Sequence, residues 1–356
     1  MRLVDQRNAE EYLRETSRVA ADEPIVVREL AGGVSNMVLL VERPDRPADE
    51  FILKQARAQL RTSQPWFSSV ERAWREADVL GICGQLLEPT DASPSSGAGL
   101  VAQTPRIVFE DRDNCLFAIT AAPRPNRTWK EDLLAGQVDP AVAAACGRLL
   151  GTLHAGSWRD PDIARQIGDR TLFEELRVAP YYRTLAVARD DARAPLERLI
   201  ESLAANSCSL VHADFSPKNL LLFSGGLLMV DFETGHYGDP AFDLGFYLSH
   251  LVLKACHQVP RHADYLALGE TFQQAYDGTI EPKVSAGERE KMWARATQHF
   301  AGCAWARLDG KSPVEYLTDT RRREMIRSLC RSVFQQEPAD WPGVIELCRQ
   351  QFDGLK

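Results

Sequence analysis

The sequence predicts an α+β protein of two lobes, a small antiparallel-sheet lobe at the N-terminus and a larger, mainly helical lobe after it. Three observations predict this. Short strand-like runs separated by turns crowd the residues before Ala121. The segment Ala121-Ala122-Pro123-Arg124-Pro125 then makes a stiff crossing. Beyond it, long stretches carry apolar residues at helical spacing. The expected division is residues 1–122 and 123–356.

Each element follows from local pattern. Ile25 to Leu30 reads as a strand, Gly32-Gly33 breaks it, and Met37 to Val41 resumes it. After a polar turn from Pro44 to Asp49, Phe51-Ile52-Leu53-Lys54 is a third strand. From Ser69 to Leu80 the period becomes helical, with Val70, Trp74, Ala77 and Leu80 roughly on one side. Residues Pro89 to Gly99, rich in Ser, Pro and Gly, read as a surface loop. Ile107 to Glu110 and Leu116 to Thr120 are two more strands joined by Asp111-Arg112-Asp113-Asn114. Asp139-Pro140 starts a helix that runs to His154, with Val142, Cys146, Leu149, Leu150 and Leu153 along one side. Leu210-Val211, Leu220 to Phe223 and Leu227 to Val230 are strands, the last two forming a hairpin about Ser224-Gly225-Gly226. From Ala241 onward the pattern is helical.

Composition narrows the function classes. At 356 residues, with 44% hydrophobic and 26% charged residues, the chain is globular and long enough for two packed lobes. A net charge of −8 argues against a general nucleic-acid binder, which carries a basic stripe. No apolar run is long enough to span a bilayer, and the N-terminus turns polar at once. Eight cysteines stand singly, most of them in apolar stretches, as reduced thiols of a cytoplasmic protein do.

The chemistry concentrates in Val211-His212-Ala213-Asp214-Phe215-Ser216-Pro217-Lys218-Asn219-Leu220 and in Val230-Asp231-Phe232-Glu233. Phosphoryl transfer needs a carboxylate to position and deprotonate the attacking hydroxyl, and oxygen ligands to hold Mg²⁺ against the phosphates. Asp214 supplies the first. Asn219, and Asp231 twelve residues later across the hairpin, supply the second. Glu233 is either a further metal or substrate ligand or a solvated acid. Lys54 closes an apolar strand, where a lysine is costly unless its charge is matched. Glu71 and Glu76 on the following helix are the available partners. Lys218 could meet a phosphate or simply be exposed.

These residues resemble the catalytic and metal loops of the aminoglycoside phosphotransferase and choline kinase superfamily. The likeness extends through Ala31-Gly32-Gly33-Val34-Ser35-Asn36, Phe51 to Ala56, Thr128 to Gly136 and Gly238 to Gly245. Glu233 and the aromatic-Gly-Asp-Pro stretch after it are similar to the methylthioribose kinase branch. The resemblance implies a kinase-like bilobal fold and an enzyme that uses ATP and Mg²⁺. It implies that Gly33, Ser35 and Asn36 cover the phosphates and that Lys54, held by Glu76, grips them. Thr120 and Ala122 would meet the nucleotide at the crossing. It makes Asp214 the catalytic carboxylate, and Asn219, Asp231 and Glu233 the metal ligands. His212 would orient its loop, and Asp243 would tie that loop's backbone in place.

A protein kinase carries a long segment ending in Ala-Pro-Glu between its metal aspartate and the next core helix. Only eleven residues separate Asp231 from Asp243, and no Ala-Pro-Glu occurs. The expected acceptor is therefore a small hydroxylated molecule, sugar-like or another metabolite, with Tyr182, Arg183, His236 and Arg307 as candidate contacts. The alternatives are an aminoglycoside-type acceptor and a nucleotide-binding pseudokinase. The second is disfavoured because Lys54, Asp214, Asn219 and Asp231 are all present.

Overall fold

The structure is a computed structural model and describes residues 1–30, 36–59, 68–88 and 100–354. The loop expected at Pro89 to Gly99, and Gly33 and Ser35 in the glycine turn, lie outside the described residues.

The N-terminal part comprises α1 (Ala9–Glu15), β1 (Val26–Glu29), β2 (Asn36–Glu42), β3 (Phe51–Ala56), α2 (Arg72–Leu87), β4 (Val101–Gln103), β5 (Ile107–Asp111) and β6 (Leu116–Thr120). Five strands form an antiparallel sheet in the order β1-β2-β3-β6-β5. Side chains alternate between faces along a strand, so register decides what each face carries. Leu39, Leu53 and Ala118 align across β2, β3 and β6 and pack with Tyr12 and Leu13 of α1. The next rank, Val38, Lys54 and Phe117, faces the other way. Lys54 is therefore delivered to the side on which α2 packs. Helix α1 was not expected: its seven residues are too few for the apolar period to stand out in a polar N-terminus.

The chain then enters the larger part through β7 (Asn126–Thr128), α3 (Trp129–Leu134), α4 (Pro140–Gly156) and α5 (Pro161–Ile167). Helix α6 (Thr171–Phe173) runs into a π-helical stretch, Glu174–Arg183, and out as α7 (Thr184–Ala188). There follow α8 (Asp190–Ala205), β8 (Ser209–Val211), β9 (Leu220–Phe223), β10 (Gly226–Met229), β11 (His236–Gly238) and α9 (Ala241–His257). The chain ends in α10 (His262–Ile280), α11 (Ala286–Asp309), α12 (Thr320–Gln336) and α13 (Trp341–Asp353).

Two small sheets position the chemistry. Strand β8 pairs antiparallel with β11, while the hairpin β9–β10 sits in a sheet ordered β4-β10-β9-β7. The two loops between these pairs, 212–219 and 230–235, are thereby folded onto each other. The Val230 N–H donates to the Asn219 carbonyl (3.0 Å), and the Thr234 hydroxyl to the His212 carbonyl (3.1 Å). Strand β4 comes from the N-terminal third yet pairs in parallel with β10. At three residues it was too short to be read from sequence.

Beneath these loops, α4 and α10 pack closely because glycines line the contact. A Cβ on Gly147 would stand 2.4 Å from the Phe272 carbonyl oxygen, a backbone atom that cannot move aside. His154 of α4 spans this interface, its Nδ1 2.9 Å from the Tyr276 hydroxyl and its Nε2 3.4 Å from Asp243. Gly147→Ala should destabilise the protein by about 1–3 kcal/mol, overpacking outweighing the roughly 1 kcal/mol of helix propensity gained. Gly81→Ala in α2, where an added Cβ meets nothing, should instead stabilise by up to about 1 kcal/mol. Urea unfolding of the two variants checks the opposite signs.

Candidate active site

Lys54 is 7% exposed and Glu76 1%, and the Lys54 ammonium donates to a Glu76 carboxylate oxygen. Arg72 and Glu76 lie four residues apart on the buried side of α2. Glu71, the alternative acid, is exposed. The Asn36 amide steadies Glu76 from β2 at 3.3 Å, and Asp231 approaches Lys54 at 3.8 Å. Burial would lower the Lys54 pKa, but Glu76 and Asp231 outweigh it, so the ammonium stays charged. The fully buried Arg72 reaches Glu233 at 3.4 Å and donates to the carbonyls of Arg57, Ser68 and Ser69.

Asp214 is buried among cations. Arg177 contacts its Oδ1 at 2.9 Å, Lys218 its Oδ2 at 2.8 Å, and the Asn219 amide donates to Oδ2 at 2.8 Å. Burial alone would raise the Asp214 pKa. Arg177 and Lys218 reverse this and hold the carboxyl well below the usual carboxylate range. Sequence reading missed Arg177 altogether, since it lies thirty-seven residues before Asp214 in a different element.

The loop carrying Asp214 is shaped by its neighbours. Ala213 has a left-handed backbone (φ 60°), which a non-glycine residue adopts only under restraint. The restraint is Asp243, whose two carboxylate oxygens accept the N–H groups of His212 and Ala213, each at 2.7 Å. The buried His212 accepts from the Asp214 N–H at Nδ1 (3.2 Å), so Nε2 carries the proton toward the Val230 carbonyl (3.2 Å). Burial keeps this imidazole neutral by lowering its pKa. Its role is to join the two loops.

One carboxylate oxygen each of Glu76, Asp231 and Glu233 lies within 4.8 Å of the others. Hard oxygen donors of this kind suit Mg²⁺, and Asp231 remains part-exposed. Asp231 also has a left-handed backbone (φ 74°). The Asn219 amide nitrogen is committed to Asp214, leaving its oxygen as the atom a cation could use. At the crossing, the Thr120 hydroxyl accepts from the Arg106 N–H (3.0 Å), and Ala122 follows, part-exposed.

The four expected acceptor contacts fare differently. Tyr182 is fully buried, its hydroxyl 2.8 Å from His299 and 3.4 Å from Cys303, so it packs in the core. The π-helical stretch, whose i→i+5 pairing shifts the helical register, turns it inward. His236 is buried too, stacked on Phe173 at 4.2 Å with Nδ1 on the Thr234 carbonyl, and burial lowers its pKa to about 4. It serves packing. Arg183 is exposed and pairs with Glu174. Arg307 donates to the Ser312 carbonyl and hydroxyl and, at 3.4 Å, to the Tyr181 hydroxyl.

The sequence pattern of the phosphotransferase enzyme family matches residues 26–281. Methylthioribose kinase of Yersinia enterocolitica is 23% identical over 318 residues, covering 78% of this chain and 76% of that protein. The 4-hydroxytryptamine kinase of Psilocybe cyanescens is 25% identical over 278 residues, covering 71% and 73%. Among solved structures, a choline kinase from Cryptosporidium parvum superposes with a TM-score of 0.57 at 13% identity, covering 98% of this chain and all of that one. That likeness shows a shared bilobal kinase-like fold. The matched span holds both loops, Lys54 and Glu76, and the chain belongs to the phosphotransferase enzyme family.

Proposed function

We propose that the chain is a small-molecule kinase that moves the γ-phosphoryl group of ATP to a hydroxyl, with residues 1–122 forming the nucleotide lobe and residues 123–356 the catalytic and acceptor lobe. The observation that carries this reading is the position of Asp231, 3.8 Å from the strand lysine and within 4.8 Å of two further carboxylates. Lys54 is the cation for the nucleotide phosphates, pre-oriented by Glu76. Asp231 and Glu233, with the Asn219 oxygen, are the groups that would hold Mg²⁺, while Glu76 borders them with its oxygens on Lys54 and Asn36. When bound, the ion neutralises phosphate charge as the bond to the leaving group lengthens.

Asp214 stays ionised and accepts a hydrogen bond from the acceptor hydroxyl, aiming its oxygen at the γ-phosphorus. The acceptor O–P bond forms, the bond from the γ-phosphorus to the β–γ bridging oxygen breaks, and ADP leaves with that electron pair. The hydroxyl proton passes to Asp214. With a pKa so depressed, Asp214 is a weak base, so it orients first and takes the proton late, once the attacking oxygen has become acidic. Arg177 and Lys218 limit that basicity and fix the direction of the carboxylate. Eight free cysteines, six of them buried, support a cytoplasmic setting.

Asp214→Asn should leave the affinity for the Mg²⁺ complex of a non-hydrolysable ATP analogue within about threefold of wild type. It should lower turnover on any accepted substrate by about 10²–10⁴. Near-normal turnover by the pure variant would remove Asp214 from the mechanism.

Glu76→Gln should weaken binding of the same analogue at least tenfold and, by leaving the Lys54 charge under-compensated, destabilise the fold by about 3 kcal/mol. Glu71→Gln should do neither, because Glu71 is exposed. Calorimetric titration and urea unfolding of the pair test this, and equal effects at both positions would overturn the assigned role of the Lys54–Glu76 contact.

A further inference from the structure

Helix α9 is apolar along most of its length, yet Lys254 interrupts the run Leu251-Val252-Leu253-Lys254-Ala255-Cys256. Lys254 is only 1% exposed and forms no ion pair with an acid among the described residues. Its ammonium donates to the His250 carbonyl (3.3 Å) and stands 5.3 Å from the Tyr316 ring centre. Lys130 faces the same ring at 5.9 Å, and Glu315, the acid whose charge acts on Lys254, is paired with Lys130. Two more polar atoms here are buried without partners, Arg307 Nε and the Tyr316 hydroxyl. Burial, followed by Lys130 and Arg307, pulls the Lys254 pKa down to about 7. A buried ammonium without a counter-charge is expensive, and proteins keep such groups mainly where a ligand completes them.

The cluster is continuous with the catalytic carboxylate. Arg177, which holds Asp214, lies over the rings of Tyr181 (6.0 Å) and Phe246 (5.9 Å). Arg307 lies over the same Tyr181 ring at 6.0 Å. Phe246, His250 and Lys254 follow at four-residue intervals on one face of α9, each step rising about 6 Å, and the Phe246 and His250 rings meet edge to face at 5.0 Å. Helix side chains lean toward the N-terminus, and the contact with the His250 carbonyl places the Lys254 ammonium back toward Asp214. A row of cations therefore starts with Arg177 on Asp214 and passes through Arg307 to Lys254, which lies about 12 Å, just over two turns, beyond Phe246 along α9.

We infer that the acceptor carries, besides the hydroxyl addressed by Asp214, an anionic group, a carboxylate or a phosphate, which Lys254 and Arg307 bind. The inference rests on the phosphotransferase reading. Cationic acceptors such as amino alcohols or polycationic antibiotics are disfavoured by the same cations.

Thermal unfolding of the full chain tests it, with inorganic phosphate and acetate as probes against chloride at equal ionic strength, with and without the Mg²⁺–ATP analogue. At least one probe should raise the wild-type Tm by about 2 °C or more beyond chloride, with the analogue present. The stronger probe identifies the anion as phosphate or carboxylate. Lys254→Met, which matches the side chain's length, should raise the Tm of the free protein and abolish the anion effect, and Arg307→Gln should reduce that effect. Chloride-like behaviour of both probes, a retained anion effect in Lys254→Met, or a lower Tm of that variant would each overturn the inference. Binding of the ATP analogue is read separately: its failure alongside an intact anion effect removes the kinase reading and leaves the anion site standing.

Discussion

Both oxygens of one buried carboxylate, that of Asp243, are occupied by consecutive backbone N–H groups, and the geometry of the centre depends on this. That clamp, with the Arg177 guanidinium donating to the Ala213 carbonyl at 2.7 Å, holds Ala213 in a left-handed conformation that costs an L-residue roughly 1–2 kcal/mol. The bend at Ala213 is what turns Asp214 out of the line of β8 and toward Arg177 and Lys218. Asp243 sits in the first turn of α9, where helix N–H groups favour negative charge, so the helix and the loop stabilise the same carboxylate. His154 extends the support to α4 and α10, which connects the catalytic loop to the best-packed part of the larger lobe.

Helix α2 does the corresponding work on the other side of the cleft. Its buried face carries an acid and a base one turn apart, Glu76 toward the sheet lysine and Arg72 toward Glu233. A rotation of α2 would disturb both contacts together. Gly235 allows the close approach this needs, since a Cβ there would stand 2.5 Å from Val79.

Much of the centre was legible because its signals are local. Asp214, Asn219 and Asp231 are spaced by one loop and one hairpin, and Lys54 betrays itself as a charge ending an apolar strand. The helical period and the family resemblance together favoured Glu76 over Glu71. Arg177 could not be found this way, because only tertiary packing brings it to Asp214. Tyr182 was named for its aromatic ring alone, and only tertiary packing shows that it is buried against His299 while its neighbour Tyr181 lies beneath Arg307. Lys254 was overlooked although its signal is the one that revealed Lys54, a lysine in an apolar run. Gly33 and Ser35 fall outside the described residues.

Strand β4 gives the lobe boundary a particular character. The backbone leaves the small sheet after α2, pairs with β10 beside the catalytic hairpin, returns to form β5 and β6, and only then crosses for good into β7. Three passages of chain thus join the lobes. A fragment cut at the final crossing would leave Gly226 to Leu228 as a bare edge of backbone donors and acceptors beside apolar Leu227 and Leu228, the kind of edge that recruits other chains and aggregates. The larger part does not come away clean, because β4 is a strand of its sheet.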